Sequence, residues 1–206
     1  NVNEAPVITS NGGAATASTN VAENTTAVTT VTSTDVDGGA AAYSISGGAD
    51  AAKFSINSST GVLTFVTAPD YENPTDVGGN NVYDVQVTVS DGNGGTDVQD
   101  IAVTVTNVNE APVITSNGGG ATASTSAAEN QTAVTTVTST DVDGGTAVYS
   151  ISGGADAAKF TINSSTGVLS FVTAPDYENP TDVGGNNVYD VQVAVSDGNG
   201  GTDVQD

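Results

Sequence analysis

The sequence predicts an all-β chain of two tandem seven-stranded Greek-key β-sandwiches, on three observations: an internal repeat of domain size, apolar residues at every second position, and turn clusters between the alternating runs. Asn1-Val2-Asn3-Glu4-Ala5-Pro6 returns as Asn107-Val108-Asn109-Glu110-Ala111-Pro112, an offset of 106 residues. Residues 1–100 differ from 107–206 at nine positions, all mildly, such as Ser55 against Thr161 and Thr64 against Ser170. A period of this length exceeds the roughly 20 to 50 residues of a solenoid unit and lets each unit bury its own core. The expected domains are therefore 1–106 and 107–206. The second lacks most of its last strand, because its counterpart of 101–106 would follow Asp206.

Taken in order within the first copy, Val7-Ile8-Thr9 is a short first strand, and the 28–32 and 43–46 runs supply the next two. Phe54 and Ile56 lie on a fourth strand. The polar turn Asn57-Ser58-Ser59-Thr60-Gly61 reverses the chain, and Leu63 and Phe65 answer on the return, giving a hairpin. From 82 to 90, Tyr83, Val85, Val87 and Val89 alternate with Asp84, Gln86, Thr88 and Ser90, the pattern of a half-buried strand. After Asp91-Gly92-Asn93-Gly94-Gly95, alternation resumes with Ile101, Val103 and Val105 on one face, and a second hairpin results. No amphipathic helical window of useful length is present. Seven short strands in about a hundred residues fit a Greek-key sandwich.

Charge narrows the function. Against 24 acidic residues stand two lysines and no arginine or histidine, a net charge of −22. Such a surface repels nucleic acid and anionic membrane and favours a multivalent cation as partner. The strand-period alternation argues against a disordered acidic tail. With no cysteine, neither disulfides nor thiolate metal sites are available to stiffen the array, whereas oxygen ligands are plentiful. No apolar run approaches the roughly 20 residues of a membrane span, so no membrane insertion is expected, and no charged-then-apolar signal segment opens the chain.

Catalysis has little support. Only Lys53 and Lys159 could serve as bases, and aromatic content is 5%, low for a sugar-binding platform. Carboxylate pairs can hydrolyse glycosides, but here they recur in both copies and metal ligation explains them. The chain is read as not an enzyme.

The carboxylates gather at strand ends. Glu23 precedes the strand at 28–32, Asp35 and Asp37 follow it, Asp70 and Glu72 flank Tyr71 ahead of the long strand, and Asp91 sits in the last hairpin turn. Successive strand ends alternate between the poles of a sandwich. Glu23, Asp70 and Glu72 can thus share the end facing the next copy, while Asp141, Asp143 and Asp197 belong to the opposite end of that copy, with Glu110 in the linker between. Seven converging carboxylates without basic partners repel one another and resist losing their hydration. Up to three divalent ions would nearly neutralise them. Ca2+, which takes six to eight oxygen ligands in tolerant geometry, suits such a set better than Mg2+.

These residues resemble a known family. Ala22-Glu23-Asn24, Asp35-Val36-Asp37, Asp70-Tyr71-Glu72, Ser90-Asp91-Gly92 and Asn107-Val108-Asn109-Glu110-Ala111-Pro112 look like, in order, the five Ca2+-binding signatures of cadherin repeats. The resemblance runs through both copies and is closest to bacterial cadherin-like repeats of large surface or secreted adhesins. It implies a cadherin/Ig-like sandwich, an extracellular or cell-surface location, and neighbouring repeats of the same chain, or identical chains, as partners. It also implies one complete junction of Glu23, Asp70, Glu72, Asn107, Asn109, Glu110, Asp141, Asp143 and Asp197, holding two or three Ca2+ ions. Half junctions follow at Glu4, Asp35, Asp37 and Asp91 and at Glu129, Asp176 and Glu178. Asn107 stands where the family usually has aspartate, and the linker is one residue shorter than the common form. The function implied is a Ca2+-rigidified spacer or filament shaft. The alternative is a homophilic or filament-forming binding module.

Other motifs are weaker. Asp35-Val36-Asp37-Gly38 matches the start of an EF-hand loop but has neither its later ligands nor flanking helices. The glycine-rich Gly94-Gly95-Thr96-Asp97 occurs once per copy, too rarely for a Ca2+-binding β-roll. Asn24, Asn57, Asn130 and Asn163 open glycosylation sequons that such a composition makes common.

Overall fold

A computed structural model describes residues 2–206 of the chain. The chain divides into two compact units, Asn1–Val108 and Asn109–Asp206. All regular structure among the described residues is β-strand and short 3-10 turns.

Unit 1 contains nine strand segments: β1 (Val7–Ile8), β2 (Thr16–Ala22), β3 (Ala27–Thr30), β4 (Ser33–Thr34), β5 (Ala42–Gly47), β6 (Phe54–Ile56), β7 (Val62–Phe65), β8 (Val82–Ser90) and β9 (Thr96–Thr106). They lie along seven strands, the first broken into β1 and β2 and the second into β3 and β4. One sheet has the order β2-β9-β8-β5 and the facing sheet β3-β7-β6, with β1 paired to β4. Both expected hairpins are present: Phe54 pairs with Phe65, and Val85 with Ile101. β2 was not expected. Its sequence, Thr-Ala-Ser-Thr-Asn-Val-Ala, has only Val21 as a large apolar residue, and it is held by parallel pairing with 100–106 of β9.

The apolar face of each hairpin becomes the core. Tyr83, Val85, Val87, Val89, Ile101, Val103 and Val105 are all buried, opposite Phe54, Leu63 and Phe65. Ile56 packs against this core but is only partly buried. Phe54 and Phe65 stack at 4.6 Å, and the Tyr83 ring stands edge-on to them at 6.5 and 5.2 Å, an arrangement that adds to area burial. Its hydroxyl, otherwise a buried polar cost, accepts from the Thr75 amide at 3.1 Å.

Gly61 closes the β6–β7 turn at φ +69, in the left-handed region, and a Cβ there would collide with the Val31 carbonyl oxygen. That explains why the turn ends in glycine. The long loop before β8 is fastened by two buried carboxylates. Asp50 accepts from the amides of Val77 and Asp84 at 2.8 and 2.9 Å, and Asp76 from those of Asn80 and Asn81, both at 3.0 Å.

Burial works to raise the Asp76 pKa, but the amides of Asn80 and Asn81, with those of its own residue and Gly78, outweigh it and hold the group below its ordinary 3.8. In unit 2 the Asn186 amide leads the same lowering at Asp182. A carboxylate with a depressed folded pKa contributes stability above its unfolded pKa and loses it as pH falls through the folded value. The loss therefore falls below about pH 4. Asp76→Asn should flatten that acid limb in melts recorded against pH; an unchanged slope would remove Asp76 from the account.

Unit 2 repeats the plan with β10 (Val113–Ile114), β11 (Ala133–Thr136), β12 (Ser139–Thr140), β13 (Val148–Gly153), β14 (Phe160–Ile162), β15 (Val168–Phe171), β16 (Gln192–Ser196) and β17 (Thr202–Gln205). Its sheets are β13-β16-β17 and β11-β15-β14. β17 is much shorter than β9 and β16 shorter than β8, and no strand forms at 122–128, the counterpart of β2. A strand needs a partner for its backbone groups, and the partner of both stretches in unit 1 is the 101–106 segment. The core loosens accordingly. Tyr189 and Val191, matching the buried Tyr83 and Val85, are only partly buried.

Candidate metal centre

Each unit gathers acidic side chains at the places the sequence marks. In unit 1, β2 delivers Glu23, which is 2% exposed. Its Oε2 accepts from the Tyr71 amide at 2.8 Å and its Oε1 from the Val108 amide at 2.7 Å. A carboxylate has about four lone-pair positions, so two remain for another ligand. Glu72 brings a carboxylate oxygen within 4.8 Å of one of Glu23, and the Asn107 side chain donates to Glu72 Oε1 at 2.8 Å. Asp70 stands beside them in sequence, but its Oδ1 caps its own loop through the Asn73 amide at 3.0 Å.

The corresponding residues of unit 2 also form a group, and here the Asp70 counterpart joins it. Glu129, Asp176 and Glu178 offer carboxylate oxygens all within 4.8 Å of one another, and all three are exposed. Glu129 Oε2 accepts from the Tyr177 amide at 3.1 Å and Asp176 Oδ1 from the Glu178 amide at 3.1 Å. Oxygens bound to one Ca2+ at 2.3–2.6 Å lie at most about 5 Å apart, so this spacing fits a single ion.

The other acidic group lies where each unit begins. In unit 2 the Asn109 side chain donates to Asp197 Oδ2 at 2.7 Å, the Glu110 amide to Asp143 Oδ2 at 2.6 Å, and the Asp143 amide to Asp141 Oδ1 at 3.0 Å. Unit 1 has the same set, with the Asn3 side chain on Asp91 at 2.7 Å, the Glu4 amide on Asp37 at 2.7 Å and the Asp37 amide on Asp35 at 2.9 Å. Asn3 was missed as a site residue. The 106-residue offset from Asn109 would have found it.

The Asn109 hydrogen bond, followed by the amides of Asn199 and Gly201, holds the Asp197 carboxyl below its ordinary range against the opposing effect of burial. Asn3 leads the same effect at Asp91, with the Asn93 and Gly95 amides. Glu4 moves the other way. Asp37, through a side-chain hydrogen bond and its charge, pushes the Glu4 pKa up, with burial and Asp35 adding to it. Carboxylates kept anionic beside others that repel them form a cation-seeking arrangement. All the donors are oxygens, which suits a hard cation.

The cadherin-domain family profile matches residues 17–108 and 123–206. The chain belongs to the cadherin domain family. Cadherin domains are extracellular modules of adhesion and tandem structure rather than enzymes, and they bind Ca2+ between consecutive repeats. Similar solved structures include mouse cadherin-23 EC22-24 (21% identity, TM-score 0.56), covering 98% of this chain and 65% of that one. Human protocadherin-24 EC1-2 (22%, 0.57) covers 98% and 93%, and Drosophila N-cadherin EC1-4 (20%, 0.57) covers 98% and 49%. This chain thus spans just under two thirds of the mouse structure and about half of the fly one. At these low identities the structural likeness shows a shared fold. Among curated proteins no sequence match is found. Among the described residues, no helix is long and apolar enough to cross a membrane.

Proposed function

We propose that this chain is a Ca2+-stiffened spacer or filament-shaft segment of a large extracellular bacterial surface protein, with repeats bounded at 106/107. Its complete junction comprises Glu23, Asp70, Glu72, Asn107, Asn109, Glu110, Asp141, Asp143 and Asp197 and takes two or three ions. The observation that carries this reading is how the linker is tied. Asn107 and Val108 bond to Glu72 and Glu23 in unit 1, and the next two residues, Asn109 and Glu110, bond to Asp197 and Asp143 in unit 2. Four consecutive residues therefore join two carboxylate groups covalently, and a cation shared between those groups would replace a flexible joint by a fixed one.

Neither core contains a proposed ligand, so each sandwich should fold without metal. Ca2+ should act on the junction, with dissociation constants of about 0.1–1 mM, the range of extracellular Ca2+ modules. Small-angle scattering with Ca2+ and with chelator checks this. We expect a narrower spread of dimensions with Ca2+ and unchanged far-ultraviolet circular dichroism. Scattering curves that superimpose in both conditions would refute the spacer mechanism.

A further inference from the structure

The dipeptide Asn-Gly, in which an asparagine side chain is followed by the least hindered main-chain nitrogen, occurs four times, at 11–12, 93–94, 117–118 and 199–200. The fold treats the four as two kinds. Asn11 is held at both ends of its amide: its Nδ2 donates to Gln99 Oε1 at 3.0 Å, and its Oδ1 accepts from the Thr29 hydroxyl at 3.1 Å. Gln99 is itself 0% exposed and donates to the carbonyls of Ser10 and Ala14. Asn117 repeats the arrangement with Gln205 at 3.3 Å and Thr135 at 3.1 Å.

Asn93 and Asn199 stand instead in exposed hairpin turns, between β8 and β9 and between β16 and β17. The Asn93 side chain makes one long bond, to the Asp91 carbonyl at 3.5 Å, and the Asn199 side chain has no hydrogen-bond partner among the described residues. The glycines that follow them have φ +104 and +112, and no atom lies within 4 Å of where a Cβ would stand, so the main chain there is open. An asparagine free to rotate beside an open glycine nitrogen can close on it. One whose amide is bonded at both ends cannot do so until both bonds break.

We infer that Asn93 and Asn199 are sites of spontaneous deamidation, with water as the co-reactant, and that their bonds to glutamine and threonine protect Asn11 and Asn117. The glycine nitrogen attacks the asparagine side-chain carbonyl carbon, a C–N bond forms, and the side-chain nitrogen leaves as ammonia with the glycine's proton. Water then opens one or the other ring C–N bond of the succinimide, giving aspartate or isoaspartate. Either product places a new carboxylate two residues from Asp91 or Asp197. Isoaspartate also adds a methylene to the main chain between two amides that share one oxygen. These are the amides of Asn93 and Gly95 on Asp91 Oδ1, at 2.7 and 2.9 Å, and of Asn199 and Gly201 on Asp197 Oδ1, at 2.7 and 3.0 Å. The lengthened turn draws each pair apart. In unit 2 the other oxygen of the same carboxylate holds the Asn109 side chain at 2.7 Å, so ageing of the turn loosens the point where the linker is fastened.

The test ages the 206-residue chain in neutral buffer with chelator, so that no bound cation affects the outcome, and follows each site by peptide mapping with mass spectrometry. The need to open two hydrogen bonds of ordinary strength should make conversion at 11 and 117 roughly 5- to 150-fold slower than at 93 and 199. In urea the four rates should converge, because the bonds that protect two of the sites are gone. Thr29→Val, which removes the donor to Asn11 Oδ1, should speed conversion at 11 about fivefold and leave 93 unchanged. Asn93→Gln with Asn199→Gln should abolish the fast phase. In chain converted at 199, the Gly201 amide should exchange faster than in fresh chain. Equal rates at all four sites of the folded chain, no conversion at 93 and 199, or a rate ratio that survives in urea would each overturn the inference. Gly201 exchange unchanged by conversion would overturn the loosening of the turn.

Discussion

Replacing Asp141 and Asp143 together by alanine should weaken Ca2+ binding at the junction by at least about tenfold and give, in Ca2+, the scattering curve of the chelated wild type. The two carboxylates follow β12 in unit 2 and are not among the residues of its buried hydrophobic core. Asp143 Oδ2 receives the Glu110 amide, and Asp141 Oδ1 receives the Asp143 amide, so the double variant loses both the linker anchor and two anionic groups of the proposed junction. Melting of each sandwich in chelator should change little, since chain reversal after β12 does not depend on either side chain packing inward. The control is Asp35→Ala with Asp37→Ala, the same residues one repeat earlier, which should leave the junction intact. If the Asp141/Asp143 pair behaves like this control, these residues do not hold the junction ion.

Tyr83→Ala should cost unit 1 about 3–5 kcal/mol, the range for deleting a fully buried aromatic side chain, whereas Tyr189→Ala should cost unit 2 clearly less. The two tyrosines have nearly the same ring partners: Tyr83 lies 5.2 Å from Phe65, and Tyr189 lies 5.1 Å from Phe171. They differ in what covers them. Tyr83 is 1% exposed beside its cross-strand partner Val103, and its hydroxyl accepts the Thr75 amide at 3.1 Å; Tyr189 is only partly buried, and its corresponding bond is 3.4 Å. Amide exchange resolved by segment measures both substitutions in one molecule, β8 reporting on unit 1 and β16 on unit 2. Equal losses would mean that the difference in burial between the two rings carries no energetic weight. Wild-type β16 should already exchange faster than β8, because Tyr189 and Val191 are only partly buried where Tyr83 and Val85 are fully so.

The hairpins were legible because their information is local: Phe54 to Phe65 and Tyr83 to Val105 alternate at period two around turns rich in Gly, Asn and Ser. β2 was not, since its own residues are small and polar and its pairing depends on β9, some eighty positions away in sequence. The same physics applies in unit 2, where the segment at 122–128, with Ser126 and Ala127 in place of Asn20 and Val21, forms no strand beside the short β17. At the site, the constant 106-residue offset made the acidic groups visible. It could not show that Asn107–Val108 and Asn109–Glu110 bond to different units, because that depends on where backbone amides point. Nor could alternation at strand ends show that Asp70 would cap its own loop while its counterpart Asp176 joins Glu129 and Glu178.

The parallel pairing of β2 with β9 has a mechanical consequence. Residues 16–22 lie beside 100–106 in the same direction, and the chain enters unit 1 ahead of β2 and leaves it beyond β9. Tension along the chain therefore drags β2 by its leading end and β9 by its trailing end, and the two strands are pulled past each other along their length. Every rung of the ladder shares that load in shear, and the strands cannot peel apart one bond at a time. Rupture then requires several hydrogen bonds and the packing of Val103 and Val105 to fail together, so a repeat paired in this way resists stretching along the chain.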